Sequence, residues 1–299
     1  MDNYSIRDLE TYSGIKAHTI RIWEKRYHLF QPNRTESNIR FYTNDELIKI
    51  LNVATLLHQG WKISRICKLS EPELNKISER CQLDEVNTEY ESKINGLVTA
   101  ILGFDEARFV TIIDQCLALL GFTELIKQVI YPFLKRVGLM WMTEELCPSQ
   151  EHFGSNIIRQ KILTAFDALP VPVNQSKPPY LLFLPEGEYH ELGLLVCNYM
   201  LRAKQLSTIY LGANTPLASV QKTHHYHPVS GLITFLVAKR QTQSLQDYID
   251  QLYSTFPNTP IWLVMAHQNH SQLRLAKNMH LMHSIEDMDQ LSSNSNKAS

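Results

Sequence analysis

The chain has 299 residues, 44% hydrophobic and 20% charged, with 29 Lys and Arg against 30 Asp and Glu. These are the proportions of a soluble globular protein, long for one core and suggesting two or three domains. Cys67, Cys81, Cys116, Cys147 and Cys197 are odd in number, scattered and never in a C-x-x-C pair, so neither a disulfide framework nor a zinc site is indicated. The N-terminal "MDNYSIRDLE" lacks a basic-then-apolar signal segment, and no apolar run approaches the roughly twenty residues that span a bilayer. A cytoplasmic chain without a membrane segment is expected. Residues 1–70 hold eleven Lys and Arg against seven Asp and Glu, which leaves an acidic excess to the remainder and permits a nucleic-acid partner for the first part.

Ser5 with Asp8 marks a helix start at "IRDLETYS"; the turn "YSGIK" at Gly14 separates it from a second helix, "KAHTIRIWEKRY". Two short helices joined by a tight turn are a helix-turn-helix signature. "HLFQPNRTESNIRFY", with Pro32 and Asn33 at one end and alternating Ile39 and Phe41 at the other, predicts a hairpin or wing. Thr43 and Glu46 form a capping box for the next helix, whose Leu47, Ile50, Leu51, Ala54 and Leu57 share one face and whose Gly60 ends it. Ser70 with Glu73 caps a further short helix, and "QLDEVNTEYES" reads as a linker. From Ser92 to Leu169 the pattern is that of a four-helix bundle, one helix starting at Asp105. "PVPVNQSKPP" is a connector. After it, "YLLFL", "STIYLG", "SGLITFL" and "IWLVM" alternate with amphipathic stretches, which predicts a doubly wound parallel α/β sheet.

The expected division is a winged helix-turn-helix over 1–72, a linker over 73–92, a helical bundle over 93–170, the α/β domain over 178–292 and a disordered tail over 293–299. In a winged helix-turn-helix the second helix enters the major groove while the wing meets the backbone. Thr19, Arg21, Lys25, Arg26 and Tyr27 of the second helix, with Arg34, Arg40 and Tyr42 of the wing, are the candidate DNA contacts. Trp23, large and apolar, is expected in the core instead.

"HTIRIWEKRYHLFQPNRTESNIRFYT" resembles the N-terminal domain of MerR-family transcriptional regulators over roughly residues 4–70, and "WEKRY" resembles the branch that couples this domain to a cobalamin-binding module. The resemblance implies double-stranded DNA bound as an inverted repeat by a homo-dimer or tetramer. Metal-sensing members carry a cysteine cluster near a long dimerisation helix, and none is present.

The cobalamin-binding relatives, among them light-sensing repressors that use adenosylcobalamin, share two signatures. The first is Trp, nine residues, then Glu-His, over the upper face of the corrin; here it is Trp141, Glu151 and His152. The second is Asp or Glu, one residue, His, two residues, Gly, and here it is Glu188, His190 and Gly193. The second follows the first predicted strand, where open α/β sheets bind ligands. The resemblance implies His190 as the lower axial ligand of cobalt, Glu188 as the carboxylate fixing its tautomer, and Gly193 as the residue that lets the next helix approach the cofactor. Ser230, Gly231 and Leu232 match a Ser-Xaa-Leu motif of such domains, and Gly212 of "GANTP" fits the cofactor-side loop.

Two departures stand out. Ala266-His267 occupies the place of a Gly-Gly pair, where side chains narrow a nucleotide tunnel, and Met142 follows Trp141 where the light-sensing relatives have His, which argues against their bis-histidine photoproduct. His224, His225 and His227 are expected on an exposed loop rather than around a metal. With no phosphate fingerprint and no nucleophile elbow, no enzymatic activity is expected. The leading expectation is a DNA-binding repressor controlled by cobalamin through oligomerisation. The alternatives are a regulator whose C-terminal module has lost cobalamin, and a corrinoid carrier.

Overall fold

The computed structural model describes residues 4–34, 40–82, 90–142, 146–172, 178–237, 242–265, 273–282, 285 and 287, grouped in two units, Met1–Ile158 and Arg159–Ser299. The first unit opens with helix α1 (Ile6–Ser13), whose Ser5–Asp8 capping box satisfies its first amides and whose chain reverses at Gly14, φ 72°. Helix α2 (Ala17–Tyr27) lacks a capping side chain at Lys16; instead the Glu10 carboxylate accepts the Ala17 amide at 3.0 Å. That bond, followed by the Lys16 ammonium, holds the Glu10 carboxyl below its ordinary range. Ile20, Trp23 and Glu24 are buried and Tyr27 half-buried, an i, i+3, i+4, i+7 stripe.

Strands β1 (Asn33–Arg34) and β2 (Arg40–Phe41) pair antiparallel, Asn33 opposite Phe41, and form the wing base; Ile39 lies outside the described residues. Tyr4 and Tyr42 exchange two 2.8 Å backbone bonds, which tie the wing to the chain's start. Helix α3 (Asn44–His58) carries the Thr43–Glu46 capping box and buries Leu47, Ile50, Leu51 and Ala54. Leu57, expected with them, is half-buried. After the short α4 (Ile63–Ile66) comes α5 (Glu71–Gln82). The expected linker is thereby shortened, because 73–82 are helical and packed on α3: Asn52 donates to Asn75 at 2.8 Å and accepts from the buried Ser78 hydroxyl at 2.9 Å.

Helix α6 (Tyr90–Leu102) is buried from Ser92 to Leu102. Helix α7 (Glu106–Leu125) starts at the Asp105 cap and is interrupted at Gly121 (φ 70°, ψ 164°), a π-helical turn (Ile126–Ile130) follows, and α8 (Tyr131–Met142) and α9 (Pro148–Asp167) complete the bundle. Glu106–Gly138 is apolar and long enough to cross a bilayer by length and composition, contrary to the expectation that no such run exists. Its Phe109, Ile112, Ile113, Val129, Ile130 and Phe133 are instead buried in the bundle, and Phe109 and Phe133 meet edge to face at 5.5 Å. Gly154 of α9 sits so close to α6 that a Cβ would lie 2.8 Å from Ile101 Cγ2.

The second unit is a five-stranded parallel sheet. Strands β3 (Tyr180–Pro185), β4 (Thr208–Thr215), β5 (Gly231–Leu236), β6 (Ile261–Met265) and β7 (Met279–Met282) lie in the order β4-β3-β5-β6-β7, with α10 (Leu192–Ala203), α11 (Leu217–Tyr226) and α12 (Thr242–Thr255) between them in sequence. This is the doubly wound arrangement expected. All residues of β3 and β5 are buried, as strands covered on both faces require. Leu181, Phe183, Leu232, Leu236, Ile249, Leu252, Phe256 and Leu263 form one core cluster. The short edge strand β7 was not expected. His224 and His225 lie in the last turn of α11 rather than on a loop, His224 bonded to Thr259 at 2.9 Å; no metal-binding group of three ligands occurs among the described residues. The tail over 293–299 and Ala266-His267 lie outside the described residues.

Asn52→Ala should remove the acceptor of the buried Ser78 hydroxyl and the donor to Asn75, and destabilise the first unit by about 1–3 kcal/mol in urea unfolding.

Candidate functional site

Strand order reverses between β3 and β5, and in a doubly wound sheet the crevice at the carboxyl ends of those strands is the place for a ligand. β3 ends at Pro185 and the chain turns through Gly187, φ 76°. The Gly187 amide donates to Asn214 Oδ1 at 3.0 Å and the Asn214 amide to the Glu188 carbonyl at 3.2 Å, so the turn is fastened to the end of β4. Asn214 accepts the left-handed backbone (φ 53°) that this needs.

Within this turn Glu188 is fully buried. Its Oε1 accepts the Tyr189 and His190 amides, both at 3.0 Å, and faces His190 Nδ1 at 2.5 Å; its Oε2 accepts the Val237 amide, just past β5, at 2.8 Å. A carboxylate taken from water needs such charge-assisted donors, and these come from both sides of the switch point. The His190 side chain remains 58% exposed at the mouth of the crevice. With the carboxylate on Nδ1, Nε2 is the nitrogen suited to a metal, the arrangement in which second-sphere carboxylates orient imidazole ligands. These donors fit cobalt of a corrinoid.

The neighbouring Glu191 escaped sequence reasoning. It accepts the Tyr210 hydroxyl at 2.9 Å and is paired with Arg159, so this residue next to His190 is joined to β4 and to the middle of α9. Burial first, and then the bond to Glu191, push the Tyr210 phenol up. Gly212, φ 79°, lies where the β3–β4 register shifts, and a Cβ there would stand 3.1 Å from Glu191 Oε1.

The structure places Gly193 differently from the expected role: a Cβ on it would lie 2.4 Å from Phe235 Cε1, so its immediate requirement is close packing of α10 on β5. Ser230 requires a correction. It precedes β5, its hydroxyl bonded to the Pro178 carbonyl, at the opposite end of that strand from Val237 and about 20 Å from the crevice at ~3.3 Å per residue. The motif match followed residue types, whereas the strand runs Gly231–Leu236 and carries Ser230 to the amino end.

Trp141 lies on α8, its side chain outside the described residues. Glu151 and His152 lie in the first turn of α9; the Glu151 carboxylate accepts the Ser155 hydroxyl and stands 3.5 Å from His152 Nε2, and His152 is 71% exposed.

In the helix-turn-helix, Arg21, Lys25, Arg26 and Arg34 are exposed and Thr19 half-buried beside His18. Tyr27 lies under the Arg26 guanidinium at 5.3 Å. Tyr42 is the second correction: it is fully buried and its hydroxyl donates to Glu24, so it holds the fold instead of meeting DNA. Burial, and then that bond, push its phenol up. Arg40 stands 3.6 Å from Glu24 Oε2. Glu24 went unnoticed in the sequence, although it falls on the buried stripe of α2. Trp23 is buried as expected.

This fold and these side chains define a helix-turn-helix protein carrying a corrinoid-type α/β module. Residues 4–71 match the MerR HTH family regulatory protein model and residues 93–164 the B12 binding domain model. The chain is 25% identical over 295 residues to the HTH-type transcriptional repressor CarH of Myxococcus xanthus, covering 96% of this chain and 97% of that one. With the HTH-type transcriptional repressor CarA of the same organism it shares 31% identity over 223 residues, 72% of this chain and 70% of the relative. The chain belongs to this family of MerR-type, B12-domain transcriptional repressors. The fold is also that of the monomethylamine corrinoid protein of Methanosarcina barkeri, with a TM-score of 0.53 at 15% identity over 67% of this chain and 96% of that one.

Gly193→Ala should destabilise the second unit by about 1–3 kcal/mol in thermal or urea unfolding, with part of the loss recovered by adding Phe235→Leu.

Proposed function

We propose that the chain is a cytoplasmic transcriptional repressor whose binding to double-stranded DNA is controlled by cobalamin, adenosylcobalamin in the first instance, and that it is not an enzyme. The observation that carries this reading is the Glu188–His190 pair at the switch point of a chain that also holds a MerR-type DNA-binding domain.

Copies of the chain, assembled as dimer or tetramer, would read an inverted repeat, each DNA-bound copy with the exposed Arg21, Lys25 and Arg26 of α2 at the major groove and Arg34 of the wing at the phosphates. The cofactor, when bound, supplies a cobalt centre with a photolabile cobalt–carbon bond. The chain's own part is to offer His190 Nε2, to hold the ring in one tautomer through Glu188, and to fix the turn through Asn214 and Val237. For Trp141, Glu151, His152 and Gly212 a cofactor role rests on the sequence signatures. Ligand binding shifts the population of the oligomer competent for DNA.

Ala266-His267 in place of paired glycines favours a second reading, in which the module serves as an oligomerisation domain without cobalamin.

Purified chain mixed with adenosylcobalamin in the dark and freed of excess should keep a cobalamin absorption spectrum, and its gel shift on its own promoter should change with cofactor and again after green light. His190→Ala should lose both responses, and Glu188→Gln should weaken cofactor retention by about 10–100-fold. A His190→Ala chain that binds cofactor and operator like the native one overturns the reading; a colourless native chain that still shifts the promoter supports the second.

A further inference from the structure

The recognition helix carries a carboxylate where a DNA-binding surface gains nothing from one. Glu24 is 8% exposed, between the exposed Lys25 and the buried Trp23, and both its oxygens are turned toward the wing side of the domain. Oε1 accepts the hydroxyl of Tyr42, which follows β2, and Oε2 faces Nε of Arg40 on β2 at 3.6 Å. Tyr42 is itself locked by its two backbone bonds to Tyr4. One buried negative charge therefore ties the helix that enters the groove to the strand that forms the wing.

The geometry matters because helix and wing must reach the same stretch of duplex together. If they are held in register before binding, the second set of contacts forms at high effective concentration; if they move independently, each association must order the other element. We propose, building on the DNA-binding reading above, that Glu24 is a positioning residue for DNA recognition, and that Arg40 serves as its partner in fixing the wing rather than as a phosphate contact.

Simple electrostatics and positioning predict opposite signs for one substitution. Glu24→Gln removes a negative charge close to a polyanion, which by charge alone tightens binding. If Glu24 positions the wing, the same change weakens it: Arg40, whose side chain is 34% exposed, is left half-buried without its counter-charge, and Tyr42 loses an ionised acceptor.

The test is equilibrium binding of the full chain to a labelled fragment of its own promoter across a salt series, with circular dichroism and thermal midpoints as controls. The expected result is binding weaker by about tenfold for Glu24→Gln, the size of one charge-assisted hydrogen bond. Arg40→Ala is expected to weaken binding while leaving the slope of log affinity against log salt unchanged. A slope reduced by about one would make Arg40 a phosphate contact and overturn its assignment. Affinity of Glu24→Gln equal to or above that of the native chain overturns the proposal. Should Glu24→Gln fail to fold, Tyr42→Phe carries the test: it removes one hydroxyl from the same carboxylate, and native affinity in that variant contradicts the proposal. A native chain that does not bind the fragment sinks the DNA-binding reading itself, a different outcome from native binding with unaffected variants.

Discussion

The buried carboxylate of Glu188 accepts amides from its own turn and from the end of β5, and the same oxygen that takes two of them also meets the imidazole of His190. A charge in that position is costly unless every lone pair is used, and here the donors that satisfy it are the same ones that define the crevice. The geometry of His190 is thus inherited from the sheet. Were the strand order continuous at this point, the connections leaving β3 and β5 would not diverge, and no crevice would open beyond their carboxyl ends for the turn to line.

Around this constraint the remaining contacts fall into place by ordinary packing. Gly193 allows α10 to lie on Phe235, which brings the helix start directly behind the histidine, and Glu191, held by Arg159 and Tyr210, fixes the residue on its other side. The helix-turn-helix uses the same device with different partners: a buried glutamate on α2 satisfied by a tyrosine hydroxyl and an arginine from across a chain reversal. In both places a buried acid converts a local turn or strand into a fixed platform for an exposed basic side chain.

Much of this was legible in the residues. Capping boxes at Ser5–Asp8 and Thr43–Glu46 are local, three-residue patterns, and all their donors and acceptors lie within one turn of helix, so sequence specifies them fully. The fully buried strands β3 and β5 announce themselves as unbroken apolar runs. What sequence concealed depends on partners far along the chain. Tyr42 reads as an exposed wing residue until Glu24, eighteen positions earlier, is seen to take its hydroxyl. Ser230 matches a motif by type, but only the parallel register with Tyr180 shows that it stands at the amino end of β5. Strand β7 is four residues, "MHLM", without a β-branched side chain, and is strand because β6 offers it an edge. The apolar stretch from Glu106 to Gly138 is hidden from a search for uninterrupted runs by its scattered polar residues, and burial of residues such as Phe109, Ile113, Ile130 and Phe133 accounts for part of its apolar character, while Leu119 stays exposed.

The central claim is that Nε2 of His190, oriented by Glu188, is a cobalt ligand. Its most direct test is the electron spin resonance of the cobalt(II) form of the bound cofactor, prepared once with ordinary chain and once with chain whose histidines carry heavy nitrogen in the ring. A single coordinating imidazole predicts that each hyperfine line changes from a triplet to a doublet on labelling, and that the change is absent in His190→Ala. Triplets that persist in the labelled native chain would mean that the cofactor keeps its own base on cobalt, and that the Glu188–His190 pair holds a turn and nothing more.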